Sequence, residues 1–392
     1  MRVAIVLNTS WNIYNFRQGL AKALIAEGHQ VIAIAPRDKY SDYLVEMGCE
    51  FYPVKMQNKG SNPLKDLGYM YQLYRIYKRS NPDVVLQFTI KPNIYGTLAA
   101  FPLGKLVINN VCGLGTVFLH NNLATRIARR LYKLSFLLPK KVFFQNEDDL
   151  QLFVDKKLIK EKVTDLVPGS GVPLDKFKAT PFSRNEKFTF LMVSRLLYDK
   201  GIREYIEAIR ILKNESSDIK FQLLGAIETD ANLGVSAQEV ASWVSEGLLD
   251  YLGTTDDVPQ YVRQADCVVL PSYREGTPRA LLEAASMAKP LVATNIAGCR
   301  QTIDEGSNGF LCEVANGKDL ARAMKQMANL SNEQLEEMGK ASRAKVEKEF
   351  DEKIVIEKYL RIIRSYDVLL RRQASKKIDS NNRNPSMKTQ YV

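Results

Sequence analysis

Short apolar runs alternate with helix-length amphipathic segments from the first residue onward, and this alternation restricts the fold more than any other feature. Arg2–Leu7 is one such run. Arg17–Glu27 has helical periodicity and stops at Gly28, a glycine where a helix ends. Val31–Ala35 is the next strand, closed by Pro36. Further strands are predicted at Val84–Phe88, Leu106–Asn110, Val142–Phe144 and Val163–Val167, with helices between them. Strands and helices alternating at these lengths imply an α/β fold, its parallel sheet covered on both faces.

Pro, Gly and Ser then cluster over Pro168–Ser183, and a second series opens at Phe188–Val193. Its other strands are predicted at Phe221–Leu224, Cys267–Leu270 and Leu291–Ala293, with helices near 201–212, 257–264 and 278–287. A chain of 392 residues fits two domains. The reading divides it into 1–180 and 181–352, with a junction near 175–185. Long helices follow at about 332–348 and 353–370, and the polar stretch 371–392 reads as a disordered tail.

Five cysteines form no CxxC pair, and the two histidines, His29 and His120, stand far apart, so no zinc signature exists. A reducing cytoplasm is the simplest setting. No run of 18 apolar residues is present, so no membrane-spanning helix is expected. The net charge of +11 is unevenly placed: residues 1–180 hold 25 Lys/Arg against 14 Asp/Glu, and the remainder holds 30 against 30. An anionic partner for the first half follows, whether a membrane surface, a phosphorylated lipid or nucleic acid. Within that half, Arg126, Arg129, Arg130 and Lys133 recur at helical spacing, with Leu123, Ile127, Leu131, Leu134 and Leu138 on the other face. The segment Leu123–Phe144 is therefore a candidate membrane face, with the leucines in the core and the cations toward lipid headgroups.

The strongest chemical signal is Pro271-Ser-Tyr-Arg-Glu275-Gly276-Thr277-Pro278-Arg-Ala-Leu-Leu-Glu283. A strand ends at Leu270, and a helix is predicted to open with Thr277 as N-cap and Pro278 in its first position. The amides of such a helix start attract an anion. Glu275 can accept hydrogen bonds from sugar hydroxyls, and Glu283, on the second turn, can hold a ribose. The second signal is Val193-Ser-Arg195-Leu-Leu-Tyr-Asp-Lys200-Gly201. It places two cations at a strand's C-terminal end, where open α/β sheets bind ligands, and two cations there can neutralise a diphosphate without a metal. Asp148-Asp149 reads as a helix start, not as a metal-binding pair. Gly113-x-Gly115 lacks the third glycine of a dinucleotide fingerprint. Cys112 reads as a small packing residue.

Glu275-x7-Glu283, with Gly276-Thr277-Pro278 inside it, and Arg195-x4-Lys200-Gly201 resemble the signatures of glycosyltransferase family 4. The resemblance runs from Arg2 to about Tyr366. It implies a GT-B fold, two Rossmann-like domains facing across a cleft with a closing helix, about 353–370, that crosses back to the first domain. It further implies a retaining transfer in which Arg195 and Lys200 hold the donor's pyrophosphate and Glu275 contacts the sugar. Thr277 and Pro278 would lie by phosphate and sugar, and Glu283 would bind the ribose. No metal and no cofactor are expected, because the nucleotide sugar is itself the substrate.

Tyr14-Asn15-Phe16-Arg17 and Thr89-Ile-Lys91-Pro-Asn-Ile-Tyr95-Gly96 are similar to bacterial members that build capsule, O-antigen and lipid-linked oligosaccharides. That similarity places Asn15, Arg17, Lys91 and Gly113 on the acceptor side. It implies transfer of a hexose or N-acetylhexosamine, from a UDP-sugar, to an undecaprenyl-diphosphate-linked saccharide. The expected location is the cytoplasmic face of the membrane, peripherally held. Two departures stand out. The glycine-rich loop after the first strand is replaced by Asn8-Thr-Ser-Trp-Asn12, and the site of the family's usual histidine reads Val111-Cys112-Gly113-Leu114-Gly115. The competing readings are a nucleotide-sugar epimerase of the same fold and a non-catalytic basic adaptor for membrane or nucleic acid, the latter without any nucleic-acid-binding signature.

Overall fold

The computed structural model describes residues 1–57, 62–113, 123–228, 230 and 233–382. Strands β1 (Arg2–Val6), β2 (Gln30–Ala35), β3 (Glu50–Pro53), β4 (Val84–Phe88), β5 (Leu106–Val111), β6 (Lys141–Phe144) and β7 (Thr164–Leu166) form the first sheet. Their order is β3-β2-β1-β4-β5-β6-β7, and every neighbouring pair is parallel. The helices of this half are α1 (Ser10–Ala26), α2 (Ser41–Glu46), α3 (Pro63–Ser80), α4 (Thr97–Ala100), α5 (Leu123–Ser135) and α6 (Glu147–Asp155). A π-helical turn, Pro92–Gly96, precedes α4.

The second sheet comprises β8 (Phe188–Val193), β9 (Ile219–Leu224), β10 (Asp250–Tyr251), β11 (Cys267–Leu270), β12 (Leu291–Thr294) and β13 (Gly309–Cys312). Its order is β10-β9-β8-β11-β12-β13, again parallel throughout. Around it lie α7 (Ile202–Glu215), α8 (Ala237–Ser245), α9 (Val258–Gln264), α10 (Arg279–Ser286), α11 (Ala297–Arg300), α12 (Gly317–Ala328) and α13 (Asn332–Glu349). The two Rossmann-like sheets expected from the sequence are present.

Alternation along the central strands shows how the sheets are covered. Val3 and Ile5 of β1 enter one core, while Ala4 and Val6 enter another on the opposite face. In β8, Phe190 and Met192 face one core and Leu191 the other. Side-chain caps set the helix starts: Thr9 accepts from the Asn12 amide at 3.0 Å and Asn146 from the Asp149 amide at 2.8 Å.

Three strands escape the sequence reading. β3 ends in proline and lies at the first sheet's edge, β10 has two residues, and β13 begins with glycine, so each carries a weak strand signal. The change of domain also falls earlier than expected. Val167 packs in the first domain's core, whereas Val172 and Phe177 are already buried in the second domain's core.

The last helix, α14 (Glu352–Asn382), crosses back as expected. Its Val355, Tyr359, Leu360 and Ile363 join Val3, Leu20 and Leu24 in the first domain's core. The helix runs twelve residues beyond the expected end at 370, correcting the reading of a disordered tail there. The physical reason is plain: no glycine or proline interrupts the sequence before Pro385. Residues 383–392 lie outside the described residues.

Candidate active site

The C-terminal ends of β8 and β11 bring the two motifs together. After β8 the chain makes a 3-10 turn at Tyr198–Lys200 and enters α7 through Gly201, whose φ is +75°. A Cβ at Gly201 would lie 2.0 Å from the Pro271 carbonyl oxygen, so only glycine allows the two loops to touch. The Tyr273 amide donates to the Asp199 carbonyl at 2.8 Å, and the Tyr273 hydroxyl donates to Glu204 at 2.6 Å. Burial, with help from Glu204, pushes the Tyr273 hydroxyl up to about 12.

Stapled in this way, the loops set Lys200 Nζ 2.6 Å from Glu275 Oε1, each side chain about one-sixth exposed. Arg195, from the same loop, is exposed. An ammonium and a carboxylate thus share one largely buried place. The pair can meet a phosphate with the one group and a sugar hydroxyl with the other.

Thr277 and Pro278 behave differently from expectation. The helix α10 begins at Arg279, Pro278 is its extended N-cap residue, and Thr277 stands outside the helix. Its hydroxyl donates to the Gln145 carbonyl at 3.1 Å and accepts from Gln301 Nε2 at 2.7 Å. Thr277 therefore serves the domain interface, because Gln145, at the end of β6, belongs to the first domain. Glu283 is buried on α10, with Arg279 Nε donating to it at 2.8 Å. The same guanidinium donates to Ser170 Oγ at 3.0 Å and to the Gly171 carbonyl.

Across the cleft, Gly113 follows β5 with φ +106°, and a Cβ built on it would be 3.1 Å from the Gly276 amide nitrogen. A Cβ at Gly276 would be 2.8 Å from the Cys112 carbonyl oxygen and 2.7 Å from Gln145 Oε1. Backbone meets backbone here, and the Glu275–Gly276 loop rests on the first domain. Asn146 Nδ2 donates to the Gly276 carbonyl at 3.0 Å, Arg274 pairs with Asp149 at 2.9 Å, and Arg300 pairs with Asp148 at 2.9 Å. Asp148 and Asp149 do sit in the first turn of a helix, as read, and they bind arginines of the opposite domain as well.

Two family profiles divide the chain along this architecture. The family described as "Glycosyl transferase 4-like" matches residues 2–146, and "Glycosyl transferases group 1" matches residues 175–345. The chain is a GT-B glycosyltransferase. It is 28% identical over 382 residues to the N,N'-diacetylbacillosaminyl-diphospho-undecaprenol alpha-1,3-N-acetylgalactosaminyltransferase of Campylobacter jejuni, covering 92% of this chain and 98% of that one. It is also 28% identical over 297 residues to the UDP-Gal:alpha-D-GlcNAc-diphosphoundecaprenol alpha-1,3-galactosyltransferase of Escherichia coli, covering 70% and 73%. The fold is shared with HepE of Anabaena in complex with UDP, at a TM-score of 0.76 and 16% identity over 93% of this chain and 100% of that one. A glycosyltransferase from Rickettsia africae superposes at a TM-score of 0.74, with 21% identity over 92% and 97%.

The residues expected on the acceptor side are scattered. Asn15 Nδ2 donates to the Trp11 carbonyl one turn back, at 3.0 Å. Lys91 pairs with Asp66 at 2.6 Å, both side chains largely buried, and Tyr95 donates to the same carboxylate at 3.1 Å. That pair ties the Pro92–Gly96 turn to α3. Arg17 and Gly113 do approach the cleft. Gly115 and His120 lie outside the described residues.

The basic helix α5 is turned differently from the reading. Tyr132 and Phe136 fill its core side, and Tyr132 meets both Phe136 and Phe153 edge-on; Leu131 packs against the same core as expected, while Ile127, Leu134 and the following Leu137 are exposed. Large rings outcompete leucines for the pocket beside β5 and β6. Arg126, Arg130 and Lys133 are exposed beside these leucines.

Several site residues went unread. Arg279 was legible as the i,i+4 partner of Glu283. Arg274 and Gln301 carry no local signal, and Asn146's local N-cap role does not show its contact with Gly276 across the cleft.

Proposed function

We propose that this glycosyltransferase moves a hexose or N-acetylhexosamine from a UDP-sugar to an undecaprenyl-diphosphate-linked saccharide, with retention of configuration and without a metal. The observation that carries this reading is the contact of Gly276 with Gly113. It supports a donor, held by Lys200, Arg195 and Glu275, that lies beside the strand ends of the other sheet, where an acceptor hydroxyl could reach the anomeric carbon. Two relatives whose names specify diphosphoundecaprenol-linked acceptors support the substrate class.

In the reaction proposed, the bond between the anomeric carbon and the β-phosphate oxygen breaks as the acceptor oxygen attacks from the same face. The acceptor proton passes to the departing diphosphate. Lys200 and Arg195 stabilise the charge growing on that diphosphate, and closure of the two domains excludes water.

The acceptor would be met at a bilayer surface. No helix among the described residues is long and apolar enough to cross a membrane. Two helices packed against the Pro92–Gly96 turn instead offer apolar and basic groups together. Leu64, Leu67 and Tyr71 form an exposed stripe on α3 with Lys65, Arg75 and Lys78 near it, and α5 adds Ile127, Leu134, Arg126, Arg130 and Lys133. Exposed leucines beside cations suit insertion at an anionic leaflet.

The test is product analysis. The purified enzyme is incubated with a UDP-hexose or UDP-N-acetylhexosamine panel, with and without a prenyl-diphosphate disaccharide. Sugar transferred to the lipid with the α configuration retained is the expected result. Epimerised nucleotide sugar formed without any acceptor would overturn the assignment.

A further inference from the structure

One buried cation has no carboxylate partner among the described residues. Arg17 projects from α1 and is 5% exposed. Its guanidinium carbon lies 4.3 Å from the ring centroid of Phe88, the last residue of β4, and its Nη2 is 4.0 Å from Cys112 Sγ. The charge is felt at Tyr359 of α14, where it opposes the upward push of burial on the hydroxyl.

The place is specific. Strand order reverses between β1 and β4, so the connections leaving these strands diverge to opposite faces and open a crevice at their C-terminal ends. Arg17, on the helix after β1, bridges to the end of β4 at that crevice. Cys112, its other neighbour, is the residue whose carbonyl abuts Gly276 of the donor loop.

The surroundings are polar and uncharged. Asn110, whose Nδ2 donates to the Tyr359 hydroxyl at 2.7 Å, also receives Asn93 Nδ2 on its carbonyl at 2.8 Å and the Cys112 thiol on its Oδ1 at 3.2 Å. Asn93 is fully buried, and its own Oδ1 has no hydrogen-bond partner among the described residues. Thr89, next after Phe88, holds φ at +67°, costly for a β-branched residue, and its buried hydroxyl is likewise unpartnered. A desolvated guanidinium beside an aromatic face recovers only part of its lost hydration from the ring. An anion restores the rest.

We infer that Arg17 binds a phosphate group of a substrate at this switch point, opposite Lys200 and Glu275. The inference rests on the glycosyltransferase reading, in which both substrates carry a diphosphate, and the residue then grips either the donor's or the lipid acceptor's phosphate from the first domain. Arg17 is a binding residue here, and the uncharged Asn93, Asn110 and Cys112 leave its charge unneutralised for that purpose.

The test is equilibrium binding to the full-length protein, which keeps it separate from turnover and so from the acceptor assignment. UDP and farnesyl diphosphate are the two probes, measured by calorimetry on the parent, Arg17→Met and Arg17→Lys. Arg17→Met is expected to weaken one probe by about 10–100-fold, and Arg17→Lys to recover part of the loss. Loss confined to UDP assigns the donor's phosphate, and loss confined to farnesyl diphosphate assigns the acceptor's. Arg17→Met should melt no lower than the parent, whereas a merely structural arginine would lower the melt and leave affinity intact. A second measurement needs no variant: at least one of the two probes should slow thiol-reagent modification of Cys112 at least tenfold. Equal affinities in all three proteins, or unprotected Cys112 with both probes, would overturn the inference.

Discussion

The carboxylate of Asp149 and the guanidinium of Arg274 stand 2.9 Å apart, one on each domain. Burial lifts the Asp149 carboxyl above its ordinary 3.8, and Arg274 works against that rise. Removing Arg274 leaves a buried carboxylate without its counterion.

Arg274→Ala is therefore expected to cost about 2 kcal/mol of stability at neutral pH. The sign of its pH dependence follows from proton binding. With its folded value further raised, Asp149 binds a proton more readily when folded, so the penalty shrinks as pH falls toward 3.8. Denaturant melts of parent and variant at pH 7.5 and 4.5 check this. A gap that widens at the lower pH would refute it.

The pairing of Lys200 with Glu275 makes the two side chains one unit. Lys200→Ala or Glu275→Ala should each lower turnover about 10²–10³-fold, and the double variant should be little worse than either single one. Arg195→Ala should also lose most turnover, with an unchanged melt because that side chain is exposed. Steady-state rates at saturating donor decide. Additive losses in the double variant would mean that the two residues act independently.

Metal independence is expected from the same cations. Turnover in excess EDTA is expected to match that in magnesium, because under the proposed function Lys200 and Arg195 serve the diphosphate. Loss restored by magnesium or manganese would show that the proposed charge complement is incomplete.

Surface attachment has a charge signature. Arg126, Arg130 and Lys133 are exposed, and each contributes about 1 kcal/mol near an anionic leaflet at low salt. Changing all three to Gln should reduce partitioning to phosphatidylglycerol vesicles by on the order of 10²-fold, with no change in melting. Leu134→Ser with Leu137→Ser should weaken the binding that survives high salt. Undiminished sedimentation of both variants with vesicles would exclude α5 from the docking face.

The sequence spoke clearly wherever the signal was local. β1, β4, β8 and β11 announce themselves as apolar runs, and Lys200 and Glu275 follow two of them directly, so their meeting could be foreseen from the parallel order. Thr277 was misread because its N-cap chemistry is ordinary, while its real partners are Gln145, just after β6 across the cleft, and Gln301, just after α11 in its own domain. On α5 a correct helical period gave the wrong buried face, since the period does not say whether leucines or rings fit the neighbouring strands. Arg17 was legible only as part of a resemblance. Its meaning depends on Phe88, 71 positions away, and on its having no carboxylate partner among the described residues.

The return of α14 to the first domain alters the order in which this protein becomes whole. Tyr359 and Ile363 complete a core whose other members, from Val3 to Val167, are synthesised much earlier. At about 5–20 residues per second, roughly 10–40 s of translation separate the two. The nascent first half must wait with an uncovered apolar flank while the second half is made. The half built first is thus sealed last, and a gene fragment ending after the first sheet would encode a domain without its final wall.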